Sequence, residues 1–345
     1  MSCKVTICCV AYQHEKYIRK TLDGFLNQKT DFEYKILVHD DASKDGTQAI
    51  IKEYEKRYPG KIFAVCQSEN KMSKGIGVIT EYLLPHVEGE YIALCEGDDY
   101  WTDLNKLQKQ VDGLDLHRDC YLSSHRTVEV YEDETPTGFL FPKNDIPSGV
   151  IKSSDALSLP YSFHTSSLMF RLNEWKNYML NKPEFRKVSD VGDIPYIMYF
   201  ANLGNVYYIN ENMSCYRRGV PTSWSMTERN NYEKNVNYEK LIRHPHCMYL
   251  SYKLFDDFSE KRFHNICMYN ASRYLLQETV LTKNTITFFS KENRELFSYL
   301  PCNRKIYALL AILAPSIMRK IYLKRLARLN KRINKNTIQE RMLGS

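Results

Sequence analysis

The sequence predicts an α/β protein: a Rossmann-like, mostly parallel sheet flanked by helices, followed by a helical C-terminal extension. Three observations point there. Short β-rich runs alternate with amphipathic helical stretches over the first 115 residues, the pattern of parallel strands with helical crossovers. Two of those strands run directly into clusters of acids, YKILVHDD and YIALCEGDD. From about residue 230 onward the chain reads mostly helical. The 345 residues, 43% hydrophobic and 26% charged, have the composition of a folded globular protein, which excludes disorder as the default.

Taken in order, Lys4 to Ala11 is an apolar first strand. Its run of about six apolar residues is too short for a signal h-region. Tyr17 to Asn27 carries apolar residues at 18, 22, 25 and 26, which is helical spacing. Tyr34 to His39 is a second strand, Thr47 to Tyr58 a helix closed by Pro59-Gly60, and Lys61 to Cys66 a third strand. Ile76 to His86 reads as a helix and Tyr91 to Cys95 as a fourth strand. The stretch EDETPTGFLFPKNDIPSG reads as a surface excursion, Asp190 to Leu203 as a helix and Asn205 to Asn210 as a strand. The organisation expected is one domain over 1–225, in two halves at 1–115 and 116–225, then a helical region over 226–345.

Ten scattered cysteines, several inside apolar runs and none in a zinc-like spacing, read as reduced core residues of a cytosolic protein.

In a parallel sheet, Asp40 and Asp41 after the second strand and Glu96, Asp98 and Asp99 after the fourth lie on one rim, where ligands bind. Like charges held together cost several kcal/mol in a partly desolvated site unless something neutralises them. Closely spaced hard oxygen ligands suit Mg²⁺ or Mn²⁺, and such a cation could hold a diphosphate. The plainer reading is that these acids cap following helices and face water.

VTICCVAYQHEKYIRKTLDGFLNQ, ILVHDDASKDGT and GEYIALCEGDDYW, in this order and spacing, resemble the nucleotide-binding half of family 2 glycosyltransferases with the GT-A fold. The resemblance implies a nucleotide-sugar donor, most often UDP-linked, and transfer with inversion. It places Ala11, Tyr12 and Asp40 at the base and ribose, with Asp41 and Lys74 nearby. Glu96, Gly97, Asp98 and Asp99 match the DxD-type motif at the ribose and the metal-bridged diphosphate, with Asp98 and Asp99 toward the metal. Glu96 stands where the first acid is usually Asp.

Transfer needs a stabilised diphosphate leaving group and an acceptor hydroxyl activated by a base. Asp193, before Ile194-Pro195, resembles the family's catalytic carboxylate, with Gly192 in place of the usual preceding acid. An Asp with Pro just inside the helix is also an ordinary N-cap, and Asp190 is the fallback base. His164 in FHTSSLMFR, and Arg217, Arg218 and Trp224 in SCYRRGVPTSWS, are candidates for the acceptor side, where arginine could meet a diphosphate and tryptophan stack on a sugar ring, or for ordinary structural roles. A nucleotidyltransferase is the rival enzyme class, but AYQHEKY after the first strand has no glycine for a phosphate loop. A non-catalytic glycan- or membrane-binding protein of the same fold is the rival outside enzymes.

Net charge is +7, and residues 301–345 alone carry eleven Lys/Arg against Glu340. Within 304–336, Met318, Tyr322, Leu326, Leu329 and Ile333 form one apolar stripe opposite a basic face. That pattern predicts either an in-plane helix on an anionic membrane surface or a helix packed on the domain. Nucleic acid is disfavoured because no aromatic platform or reader motif accompanies the charge. The expected setting is the cytoplasmic face of a membrane, with a glycan or lipid-linked acceptor of surface polysaccharide synthesis.

Overall fold

The computed structural model describes residues 3–158, 163–221, 238–284, 290–291 and 293–324. It divides into two units, Met1–Pro183 with Val191–Lys234, and Glu184–Asp190 with Asn235–Ser345.

The first unit is built on one mixed sheet. β1 (Cys3–Ala11) lies between β2 (Glu33–Asp40) and β4 (Tyr91–Glu96), with β3 (Ile62–Cys66) outside β2, and these four strands are parallel. The order then continues through β9 (Met169–Arg171), β6 (Cys120–Val130), β10 (Asn205–Arg217) and β5 (Tyr100–Trp101). β9 is antiparallel to both β4 and β6, β10 is parallel to β6, and β5 is antiparallel to β10. The parallel half is thus the one expected, while the second half mixes directions.

The stretch read as a surface excursion carries two further strands, β7 (Pro136–Phe141) and β8 (Gly149–Ile151), antiparallel to β6 and β10. Of their residues only Ile151 is buried, so the turn-rich sequence hides strands held by backbone pairing. The expected helix at 76–86 is instead a π-helical turn, Ile79–Leu83, followed by a 3₁₀ turn, Leu84–His86. Pro85 at the start of the second turn cannot donate a helical hydrogen bond.

Strand alternation divides the core into two layers. Val5, Ile7, Cys9, Ala11, Ile36, Val38, Tyr91, Ala93 and Cys95 pack against α1 (Ile18–Leu26), α2 (Thr47–Arg57) and α3 (Lys106–Leu116). Cys8, Leu37, Ile92 and Leu94 face the other way, toward α4 (Ser153–Ser158), α5 (Leu172–Asn181) and α7 (Asp193–Leu203).

The second unit contains α6 (Glu184–Val188), α8 (Tyr238–Phe258), α9 (His264–Thr282), α10 (Leu296–Tyr299) and α11 (Cys302–Leu313). Phe185 packs on Phe255 and Phe258, and Tyr252 stacks on Tyr274. All ten cysteines are free. No helix among the described residues is long and apolar enough to cross a membrane.

Candidate active site

Strand register brings the two acid clusters to one rim: Ala11 pairs with Asp40, and Val10 pairs with Glu96. The chain then turns through Gly97 and Asp98, with the Asp99 amide donating to the Glu96 carbonyl at 3.1 Å, and crosses to β5 on the far strand pair. The acidic turn therefore bridges the two halves of the sheet.

Three neighbours fix that turn. Gly97 lies so close to the first strand and α1 that a Cβ there would stand 2.9 Å from Ala11 Cβ, 2.9 Å from His14 Nδ1 and 3.1 Å from Ile18 Cδ1. Thr21 Oγ1, on α1, donates to the carbonyls of Gly97 (3.0 Å) and Asp99 (2.6 Å). Arg217, at the end of β10, gives its backbone amide to Asp99 Oδ1 (3.0 Å) and its guanidinium to the Asp98 carbonyl (2.6 Å) and to Glu134 (2.7 Å).

Glu96, Asp98 and Asp99 each offer an oxygen within 4.8 Å of the others. Asp98 and Asp99 are buried, and each keeps one carboxylate oxygen, Oδ1 and Oδ2 respectively, without a hydrogen-bond partner. Buried orphan carboxylate oxygens are costly. Loss of hydration, then the charges of Asp98 and Glu96, holds Asp99 well above the usual carboxylate range. Glu96 reaches solvent but sits in a crowded concavity; desolvation, Asp98 and Asp193 push it up to about 8. Converging carboxylate oxygens of this kind could hold a divalent cation.

Asp193 opens α7 and accepts from the Ile194 amide at 2.9 Å. It stands one residue inside the helix, with Gly192 at the cap, and its charge reaches Glu96. Asp190 accepts from His244 at 2.9 and 3.0 Å in the second unit.

The nucleotide-side candidates divide. Asp40 is buried and accepts from the Ser43 amide, the Ser43 hydroxyl and Gln48 Nε2. Ala11 is buried beside it, and Tyr12 is half-exposed. Asp41 accepts from the amides of Lys71 (2.7 Å) and Met72 (3.0 Å), so its carboxylate organises the 3₁₀ turn Met72–Lys74. Lys74 projects into solvent and pairs with Glu69.

The acceptor-side candidates also divide. His164 Nδ1 accepts from the Ser166 amide at 3.2 Å and lies 3.7 Å from Asp99 Oδ2, with its ring 4.4 Å from that of Tyr216. Burial pushes its pKa down to about 3, so the ring is neutral and carries its proton on Nε2. Arg217 is a buried brace of the acidic turn rather than an exposed loop arginine, because Ser214–Arg217 continue β10 instead of forming a loop. Arg218 pairs with Glu129 at 3.0 Å. Trp224 lies outside the described residues.

Sequence reasoning missed Thr21, Glu134 and His14, whose Nε2 stands 3.7 Å from Asp98 Oδ2. Thr21 sits on the inner face of a helix already recognised, which was the available signal. Glu134 lies in the excursion and gave none.

Residues 6–174 match the family model described as glycosyl transferase family 2. An uncharacterised Mycobacterium tuberculosis protein, Rv1520, is 33% identical over 228 residues, 64% of this chain and 60% of that protein. TuaG of Bacillus subtilis, named a teichuronic acid biosynthesis glycosyltransferase, is 30% identical over 132 residues, 38% of this chain and 50% of that protein. Among solved structures, S. aureus TarS residues 1–349 in complex with UDP-GlcNAc align with a TM-score of 0.62 at 16% identity, covering 95% of this chain and 92% of that one. The chain thus spans about 60% of the length of the first curated relatives it matches, and the likeness to TarS is one of fold.

Proposed function

We propose that this protein transfers a sugar from a nucleotide donor, a UDP-sugar, to a hydroxyl of a glycan or lipid-linked acceptor in surface polysaccharide synthesis, with inversion at the anomeric carbon. The observation that carries the proposal is the Glu96–Asp98–Asp99 cluster, with its two buried orphan oxygens, on the rim beside Asp40. Asp98, Asp99 and Glu96 would hold Mn²⁺ or Mg²⁺, which when bound offsets the charge that grows on a departing diphosphate. Ala11, Tyr12 and Asp40 line the nucleoside side, with Ser43 and Gln48 orienting the Asp40 carboxylate.

Asp193 is the base. It lies within electrostatic reach of Glu96 and accepts the acceptor hydroxyl's proton as the new bond forms at the anomeric carbon and the bond to the diphosphate breaks. His164, neutral and with Nδ1 3.7 Å from Asp99 Oδ2, lies beside the acidic turn. TuaG's name, and the UDP-GlcNAc bound to TarS, support a polysaccharide acceptor and a UDP-linked donor.

A panel of UDP- and GDP-sugars assayed for nucleotide release with Mn²⁺, Mg²⁺ or EDTA tests the reading. Turnover of a UDP-sugar that EDTA abolishes is expected. No turnover with any donor, or full turnover in EDTA, contradicts it. Asp193→Asn should lose at least ~100-fold in kcat while binding UDP unchanged, and an active variant removes Asp193 from the base role.

A further inference from the structure

The helix that closes the described chain is built inside out. α11 buries Ala308 and Ala311, and the helical stretch at 315–324 buries Met318. The large apolar side chains point outward instead: Ile306 (61% exposed), Leu309 (47%), Leu310 (46%), Leu313 (81%), Ile317 (61%) and Ile321 (49%). Spacing puts Ile306, Leu309, Leu310 and Leu313 along one face of α11, and Ile317 and Ile321 one turn apart on the helical stretch that follows the break at Ala314. Lys320 and Lys324 are exposed in the same stretch.

A helix packed only to complete its own unit buries its largest apolar groups; here small residues make the inner contact and the large ones are left outside. The stripe expected from the sequence began at Met318 and Tyr322. Met318 is on the inner side, as in the packed alternative, so the exposed face is a different one; Leu326, Leu329 and Ile333 lie outside the described residues.

We propose that the face formed by Ile306, Leu309, Leu310, Leu313, Ile317 and Ile321 seats this protein on an anionic lipid surface, with α11 lying in the plane of the interface. The charge decides the occupant. Residues 296–324 contain Arg304, Lys305, Arg319, Lys320 and Lys324 and no acid, and 325–345 add six Lys/Arg against Glu340. A second copy docked through the same face would set cations against cations, with Glu340 the one acid of residues 296–345 on either side. Anionic headgroups neutralise them while the acyl boundary takes the apolar side chains. The inference is independent of the donor and of the reaction at the acidic turn.

Cosedimentation of the full chain with vesicles of equimolar phosphatidylglycerol and phosphatidylcholine, against phosphatidylcholine alone, tests it. Leu313→Asn/Ile317→Asn keeps every charge and alters only exposed positions. It should lower affinity for the anionic vesicles about tenfold per side chain with an unchanged thermal melt, and wild type should bind neutral vesicles far more weakly.

Undiminished binding by the double variant would overturn the proposal, since the basic residues alone would then suffice. Equal binding of wild type to both vesicles overturns the charge argument. A wild-type dimer in lipid-free sedimentation velocity that the variant abolishes would reassign the face to a second copy. A lowered melt would reassign it to a segment of this chain.

Discussion

Replacing Arg217 by Met separates two readings of the same residue. The methionine keeps the apolar stem between Tyr17 and Tyr100, over which the guanidinium now lies at 5.2 and 4.4 Å, and removes only the cation and its donors. Arg217 is 2% exposed, so the Asp98 carbonyl it serves at 2.6 Å is left buried without that donor, at a cost of about 1–3 kcal/mol. Its pair with Glu134 adds less, because Glu134 is 38% exposed and retains Lys20. Removing the cation beside Asp98 and Asp99 also leaves their mutual repulsion less compensated. The sum is about 2–4 kcal/mol, or roughly 4–16 °C in Tm for a unit of this size. Differential scanning calorimetry of the metal-free protein reads the shift, with UDP-sugar KM measured beside it. A diphosphate contact would raise KM and leave the melt alone. A Tm within about 2 °C of wild type, with a selective rise in KM, would refute the bracing role.

Asp99→Asn should stabilise the metal-free protein, and by more as pH rises. The folded-state pKa of Asp99 is raised by burial and by its acidic neighbours, so the fold resists an ionisation that the unfolded chain completes above about pH 4. The wild type therefore loses stability as pH climbs from there toward the raised value, and the asparagine variant does not. Melts in EDTA from pH 4 to 8 should diverge, and parallel curves would contradict the assignment. Gly97→Ala places a methyl 2.9 Å from Ala11 Cβ and His14 Nδ1, which should cost about 1–3 kcal/mol and weaken UDP binding in a calorimetric titration. An unperturbed Gly97→Ala protein would show the acidic turn to be loosely held.

The parallel half of the sheet was legible because each strand is a continuous apolar run and each crossover helix shows a clean stripe, as in β1, β2 and α1. The rim position of Asp40 and Glu96 follows from that alone, since parallel strands of similar length end on one side. The second half was not legible. β7 and β8 are short, at most partly covered apart from Ile151, and set between turn-forming residues, and β10 runs through Ser214–Arg217 in a stretch whose composition reads as a turn. That continuation is what turns Arg217 from a candidate diphosphate contact into a brace. Asp41 illustrates a different limit: its neighbour Asp40 has the same local sequence signal, and only the approach of Lys71 and Met72 shows that Asp41 organises a turn. In the C-terminal helix, periodicity gave the repeat but not the phase, because Ala308 and Ala311 carry too little hydrophobic signal to mark an inner face.

Titration of UDP into the wild-type protein and into Asp98→Asn/Asp99→Asn, each with Mn²⁺ and with EDTA, tests most directly whether the acidic turn is a cation-assisted diphosphate site. The account predicts binding by wild type that Mn²⁺ strengthens at least ~10-fold, and a double variant whose affinity no longer responds to the metal. UDP binding of equal strength in Mn²⁺ and EDTA, or a double variant that still responds to Mn²⁺ as wild type does, would contradict it.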